Sequence, residues 1–103
     1  MWGQLITTRF KAGKEGELPR LVDELRSIEQ PGSGLVRATA MVDQNDPSKV
    51  YMMAFFESEE LARAREKDPG RQEAMQSVQA TMAEIFDGLP EFVDLTVVDE
   101  VTP

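Results

Sequence analysis

From Val50 to Phe56 an extended chain would carry apolar or aromatic side chains on both of its faces, with Val50, Met52, Ala54 and Phe56 on one and Tyr51, Met53 and Phe55 on the other. A strand with one face in water alternates apolar and polar residues, whereas this run is apolar throughout. Any fold that contains it must cover both faces of the sheet to which it belongs.

The flanking sequence supplies that sheet and its helices. Leu5 to Phe10 alternates Leu5, Thr7 and Arg9 with Ile6, Thr8 and Phe10 and reads as a first strand. A polar loop with two glycines, residues 11–16, leads into Leu18, Leu21, Val22, Leu25 and Ile28, which fall on one stripe of a helix. Pro19 is compatible with that helix only because it lies in the first turn. Gln30-Pro31-Gly32-Ser33-Gly34 stops it. Leu35–Asp43 and Val50–Glu57, joined by turn residues 44–49, read as a β-hairpin. Ser58 then offers an N-cap hydroxyl to a helix that Asp68-Pro69-Gly70 breaks after about two turns. A second piece resumes with Met75, Val78, Met82, Ile85 and Phe86, and Glu91–Val98 closes the chain as a fourth strand.

The order β-α-β-β-α-β predicts a ferredoxin-like α+β fold, with one antiparallel sheet and the helices on a single face. No repeat or linker divides residues 1–103, which are expected to form one domain. Helices can cover only one face of such a sheet, so the second apolar face of the Val50–Phe56 run calls for another cover. A second copy of the chain is the expected one, giving a homodimer with Tyr51, Met53 and Phe55 at the interface. The alternative is that the chain's own ends lie across these residues.

Charge and two absences narrow the function. Eleven basic against nineteen acidic residues give a formal charge of −8, which repels nucleic-acid phosphate and anionic lipid. Neither is an expected partner. The sequence has no Cys and no His, which removes disulfides, thiolate and imidazole nucleophiles, Ser-His-Asp triads and the usual zinc sites. No apolar run approaches the roughly 18 residues of a membrane span, and Met1-Trp-Gly-Gln-Leu5 lacks the basic start of a leader. A soluble cytoplasmic protein is expected.

Few residues are chemically distinctive. Trp2 and Tyr51 are the only residues of their types, and either could stack on or hydrogen-bond an aromatic ligand. The plainer reading makes Tyr51 a sheet or interface residue and Trp2 the cover of a barrel end. Thr8 and Arg37 are polar positions among apolar neighbours, suited to donate to a ligand oxygen and to stabilise a phenolate or enolate. Alternatively, Arg37 lies on a solvated edge, paired with Asp94 or Asp43. Five internal Met residues suit an adaptable pocket or an ordinary core. Asp43-Gln-Asn-Asp46 lacks the glycine and the final Glu of a calcium loop, and neither glycine cluster completes a nucleotide motif. No metal site is expected.

Thr8-Arg9-Phe10-Lys11, the Gly13-Lys14-Glu15 loop, Gln30–Gly34, Asp46-Pro47, Phe55-Phe56-Glu57-Ser58 and Asp68-Pro69 together resemble the antibiotic biosynthesis monooxygenase-like family of dimeric α+β barrels. These landmarks run along nearly the whole chain and speak for architecture more than for activity. The resemblance implies a ligand cavity between sheet and helices. It also implies, for some members, oxygenation of phenols, quinols or polyketide anthrones without metal or flavin, the substrate anion itself reducing O₂. Haem-degrading members carry an Asn, a Trp and a His where Thr8, Arg65 and Met75 align, so haem chemistry is not expected. Two functions follow: a cofactor-free monooxygenase using Thr8, Arg37 and Tyr51 on its substrate, or a non-catalytic dimeric module that binds a small apolar or aromatic molecule.

Overall fold

Trp2 pairs with Phe56 on one side and with Thr96 on the other, so the first strand starts three residues before its alternation becomes visible. The cause is position: β1 (Trp2–Arg9) is a central strand, and ladder hydrogen bonds along both of its edges hold even Gly3 extended. The computed structural model describes all 103 residues. After β1 come a single 3₁₀ turn at Glu15–Glu17, α1 (Leu18–Ile28), β2 (Leu35–Val42), β3 (Lys49–Phe56), α2 (Glu59–Lys67), α3 (Pro69–Ile85) and β4 (Glu91–Thr96). The strands form one antiparallel sheet in the order β2-β3-β1-β4, the ferredoxin-like α+β arrangement. No helix is long and apolar enough to cross a membrane.

The helix between β3 and β4 is divided more sharply than its sequence suggests. Asp68 alone separates α2 from α3, in an extended conformation, and its carboxylate accepts the Gly70 N–H at 3.2 Å. The second piece therefore begins at Pro69 and not near Met75: proline needs no N–H at the first helical position, so Asp68-Pro69 turns the helix axis without interrupting helical structure for long. Ser58 caps α2 as expected, its Oγ accepting the Leu61 N–H at 3.2 Å. Phe86 lies just beyond α3 in extended conformation, bridged to Phe10, with the two ring centroids 5.6 Å apart.

Register sorts the side chains by face. Trp2, Gln4, Ile6 and Thr8 stand opposite Phe56, Ala54, Met52 and Val50 and share the helix-covered side with them. Two core clusters form there. The larger joins Phe10, Leu18, Leu21, Val50, Val78, Ile85 and Phe86 under α1 and α3; the smaller joins Trp2, Phe56 and Ala62 under α2. Between them Gln4 and Ile6 stay half-buried, and Phe92, opposite Ile6 on β4, is 57% exposed. The helices cover the β3 side of this face and leave the β4 side open.

The other face carries Leu5, Tyr51, Met53 and Phe55, flanked by Met41, Val93 and Leu95. No helix packs on it. Nor do the chain's ends cover it: past β4 residues 97–103 have no regular structure, and Val98 and Val101 are 92% and 99% exposed.

Candidate functional site

Thr8 is the polar anomaly of the helix-facing side. It sits opposite Val50, which is 1% exposed within the larger core cluster, and its Oγ1 is buried without a hydrogen-bond partner. Threonine hydroxyls both donate and accept, and an unpartnered buried one costs about 1–3 kcal/mol. Such a group lacks a partner inside the fold. Glu24 Oε2 on α1 is the other buried side-chain atom without a partner, but Glu24 Oε1 accepts the Thr81 hydroxyl at 2.9 Å and so ties α1 to α3.

Thr8 also forms part of the wall of a cleft of about 360 Å³ at the end of the sheet. The cleft exists because β4 stops pairing with β1 at the Glu91–Thr7 pair, while Asp87 is held back to β1 by donating its N–H to the Arg9 carbonyl at 2.8 Å. The intervening residues bow away from the strand, with Gly88 taking the positive φ that the bend requires. Tyr51, Lys49, Asp87, Leu89 and Glu91 complete the lining. Within the chain the Tyr51 hydroxyl has no hydrogen-bond partner and Lys49 forms no ion pair. Arg9, by contrast, is committed: Nη1 bonds Asp46 Oδ2 at 3.0 Å and also the Ser48 hydroxyl. The Ser48 hydroxyl bond and then Arg9 hold the Asp46 carboxyl down at about 2.

The cleft thus joins Thr8 and Tyr51, two of the three residues expected to meet a ligand, although their side chains leave opposite faces of the sheet. Arg37 is not brought to it. It pairs with Phe55, four residues further along β3, and its guanidinium lies 5.1 Å from the centre of the Phe55 ring. Neither acid considered for it is its partner. Asp94 takes Gln4 at 3.0 Å and Arg63 at 2.7 Å, and Asp43 accepts the N–H groups of Asn45 and Asp46. Met53 and Phe55 lie with Tyr51 on the open face, whereas Trp2 faces inward, 6% exposed, its ring 5.8 Å from Phe56. Lys49, Asp87 and Glu91 were not distinctive in the sequence, where they read as turn and strand-end residues; only the i, i+2 spacing of Lys49 and Tyr51 puts those two on one face. No group of three or more acidic side chains is arranged to hold a metal ion.

Residues 1–77 match the family model of the antibiotic biosynthesis monooxygenases. No curated protein matches the sequence. Among solved structures, a variant of SnoaB, a cofactor-independent oxygenase from Streptomyces nogalater, superposes with a TM-score of 0.71 at 14% identity over 99% of this chain and 98% of its own. A protein of unknown function from Nitrosomonas europaea gives 0.74 at 16% identity over 99% and 93%. Rv0793 from Mycobacterium tuberculosis gives 0.73 at 11% identity over 98% of each chain. At these identities the likeness is one of fold.

Proposed function

Since this chain belongs to the antibiotic biosynthesis monooxygenase family, we propose that it is a cofactor-independent monooxygenase acting on a small electron-rich aromatic molecule, a phenol, quinol or anthrone. SnoaB, which shares the fold, is itself a cofactor-independent oxygenase. For an anthrone the balance is simple: the substrate loses a proton, the carbanion reduces O₂, and one oxygen atom stays as the new ketone while the other leaves as water. A protein serves this chemistry by stabilising the anion, receiving the proton and excluding bulk water.

The observation that carries the reading is the buried, unpartnered Thr8 hydroxyl beside the sheet-end cleft. We assign Thr8 to the substrate oxygen and Tyr51 to proton transfer, with Lys49, which forms no ion pair, on the Tyr51 face. Arg37, stacked on Phe55 at the far end of that face, belongs with the surface and not with the substrate.

Proteins of this fold are typically homodimers. We assign the open sheet face, with Met53 and Phe55 at its centre and Tyr51 at its edge, to the contact between two copies, because neither helices nor chain ends cover it. The cleft then lies at the rim of that contact. A cytoplasmic site of action fits a chain with no cysteine to cross-link.

Oxygen uptake by the purified protein with a panel of quinols and anthrones tests the proposal. Uptake above the buffer rate that falls in Thr8→Val and in Tyr51→Phe is the expected result. No uptake with any member, while apolar ligands still raise the melting temperature, would favour the non-catalytic binding module instead.

A further inference from the structure

A second recess, of about 260 Å³, opens at the corner where α2 meets α3, away from the sheet-end cleft. Its chemistry is set by one carboxylate shared between two arginines. Glu29, just past α1, accepts Arg65 Nε at 3.0 Å and Arg65 Nη2 at 2.9 Å, Arg71 Nη1 at 3.1 Å and the Ser33 hydroxyl at 3.0 Å. The side chains of Arg65 and Arg71 are only 18% and 12% exposed. Two half-buried guanidinium groups on one carboxylate leave donors that have no partner in the chain and remain open to solvent. Arg71 uses Nη1 alone, and Arg65 Nη1 has no partner. Asp68 also lines the recess; its Oδ1 accepts the Gly70 N–H and its Oδ2 has no partner. Burial, followed by the nearby charge of Arg65, pulls the Arg71 guanidinium below its ordinary range against the opposing effect of Glu29 and Asp68.

The rest of the wall is mixed, with Gln30, Pro31 and Gly32 on one side and a small apolar patch on the other. Ile28, Leu61 and Ala64 form that patch, and the Arg65 guanidinium lies over Phe56, 5.2 Å from the ring centre. Forked donors beside an apolar patch match a carboxylate on a small apolar body, since a guanidinium pairs with a carboxylate through two parallel bonds. We propose that the α2–α3 corner is a binding site for a small aromatic or aliphatic carboxylate, the free donors of Arg71 and Arg65 holding the carboxylate and Ile28, Leu61 and Ala64 holding the body. The site is separate from the sheet-end cleft and does not depend on oxygenation there.

Benzoate, benzyl alcohol and inorganic phosphate test this, read by melting temperature and by the emission of Trp2, the only tryptophan, which packs on Phe56. Benzoate is expected to raise the melting temperature saturably and to change Trp2 emission, and the other two compounds to do neither. Arg71→Gln should raise the half-saturating benzoate concentration about tenfold or more, in line with the loss of a charge-assisted pair. Glu29→Gln removes the competing carboxylate and should lower it. That second variant keeps the test decisive if Arg71→Gln fails to fold. Benzyl alcohol or phosphate acting as well as benzoate, benzoate having no effect, or Glu29→Gln abolishing its effect would each overturn the proposal in favour of a purely structural ion cluster.

Discussion

Gly34 lies directly beneath Leu61: a Cβ built on Gly34 would stand 2.6 Å from the Leu61 Cβ, and Gly34 itself has φ +85°. Its carbonyl accepts the Glu57 N–H at 2.9 Å, so this one residue closes the entry to β2 against the start of α2. Gly34→Ala meets two penalties, the left-handed backbone at about 1–2 kcal/mol and overpacking against a helix-borne Cβ at about 1–3 kcal/mol. A loss of about 2–5 kcal/mol in urea denaturation is expected, summing the two. Gly32→Ala is the control, having φ +80° but no atom within 4 Å, and should show the first penalty alone.

The Pro-Gly stretch around Gly34 was legible as a helix stop because composition alone marks it. Its closeness to Leu61 was not, since that contact spans the hairpin and arises only when α2 folds back. The order of elements along the chain and the helical segments could be read from periodicity, and the two-faced Val50–Phe56 run pointed to the uncovered face. Trp2 as a strand residue could not be read, because pairing with Phe56 and Thr96, and not alternation, extends β1 that far. The candidate site was legible only in part. Thr8 and Tyr51 differ from their neighbours in polarity, but the cleft they share depends on where β4 leaves β1, a property of register that no local pattern carries.

Thr8→Val should separate stability from activity. The substitution keeps the shape and deletes a buried hydroxyl with no partner, so the variant is expected to be more stable by about 1 kcal/mol, at the low end of the cost of an unsatisfied group. Turnover should fall about tenfold or more, as when one charge-stabilising donor is removed. Denaturant unfolding and initial rates on the same preparation check both. A destabilised variant would mean that the hydroxyl is satisfied in solution.

The open sheet face predicts assembly. Sedimentation equilibrium at micromolar concentration should give twice the 11.5 kDa chain mass. Met53→Asp or Phe55→Asp should give a monomer or an insoluble chain, because an unpaired charge buried at an interface costs several kcal/mol. A wild-type chain that runs at 11.5 kDa contradicts the assignment.

Acid should lower the melting temperature through a few carboxylates. The Asp46 carboxyl is held at about 2 by the Ser48 hydroxyl bond and then by Arg9, against an ordinary value of 3.8. Asp94, through Gln4 and then Arg63, and Glu84, through Arg20, are lowered as well. A depressed carboxyl stabilises the fold above its unfolded value, and that contribution fades as pH falls through the folded one. With no His or Cys to titrate between, the melting temperature should be level from about pH 8 to 5 and should drop between about 4 and 2. Asp46→Asn should make that drop shallower. A melting temperature that falls already between pH 7 and 5 would show that other groups govern the acid response.

The central claim is that this chain inserts one oxygen atom from O₂ into an organic substrate with nothing added. Mass spectrometry of the product formed from an anthrone under ¹⁸O₂, with chelator-treated protein and no flavin or nicotinamide, tests it most directly. The expected product is the quinone carrying one ¹⁸O, formed faster than in buffer and more slowly with Thr8→Val. Quinone formed only at the buffer rate, or a product whose new oxygen is unlabelled and comes from water, would contradict it.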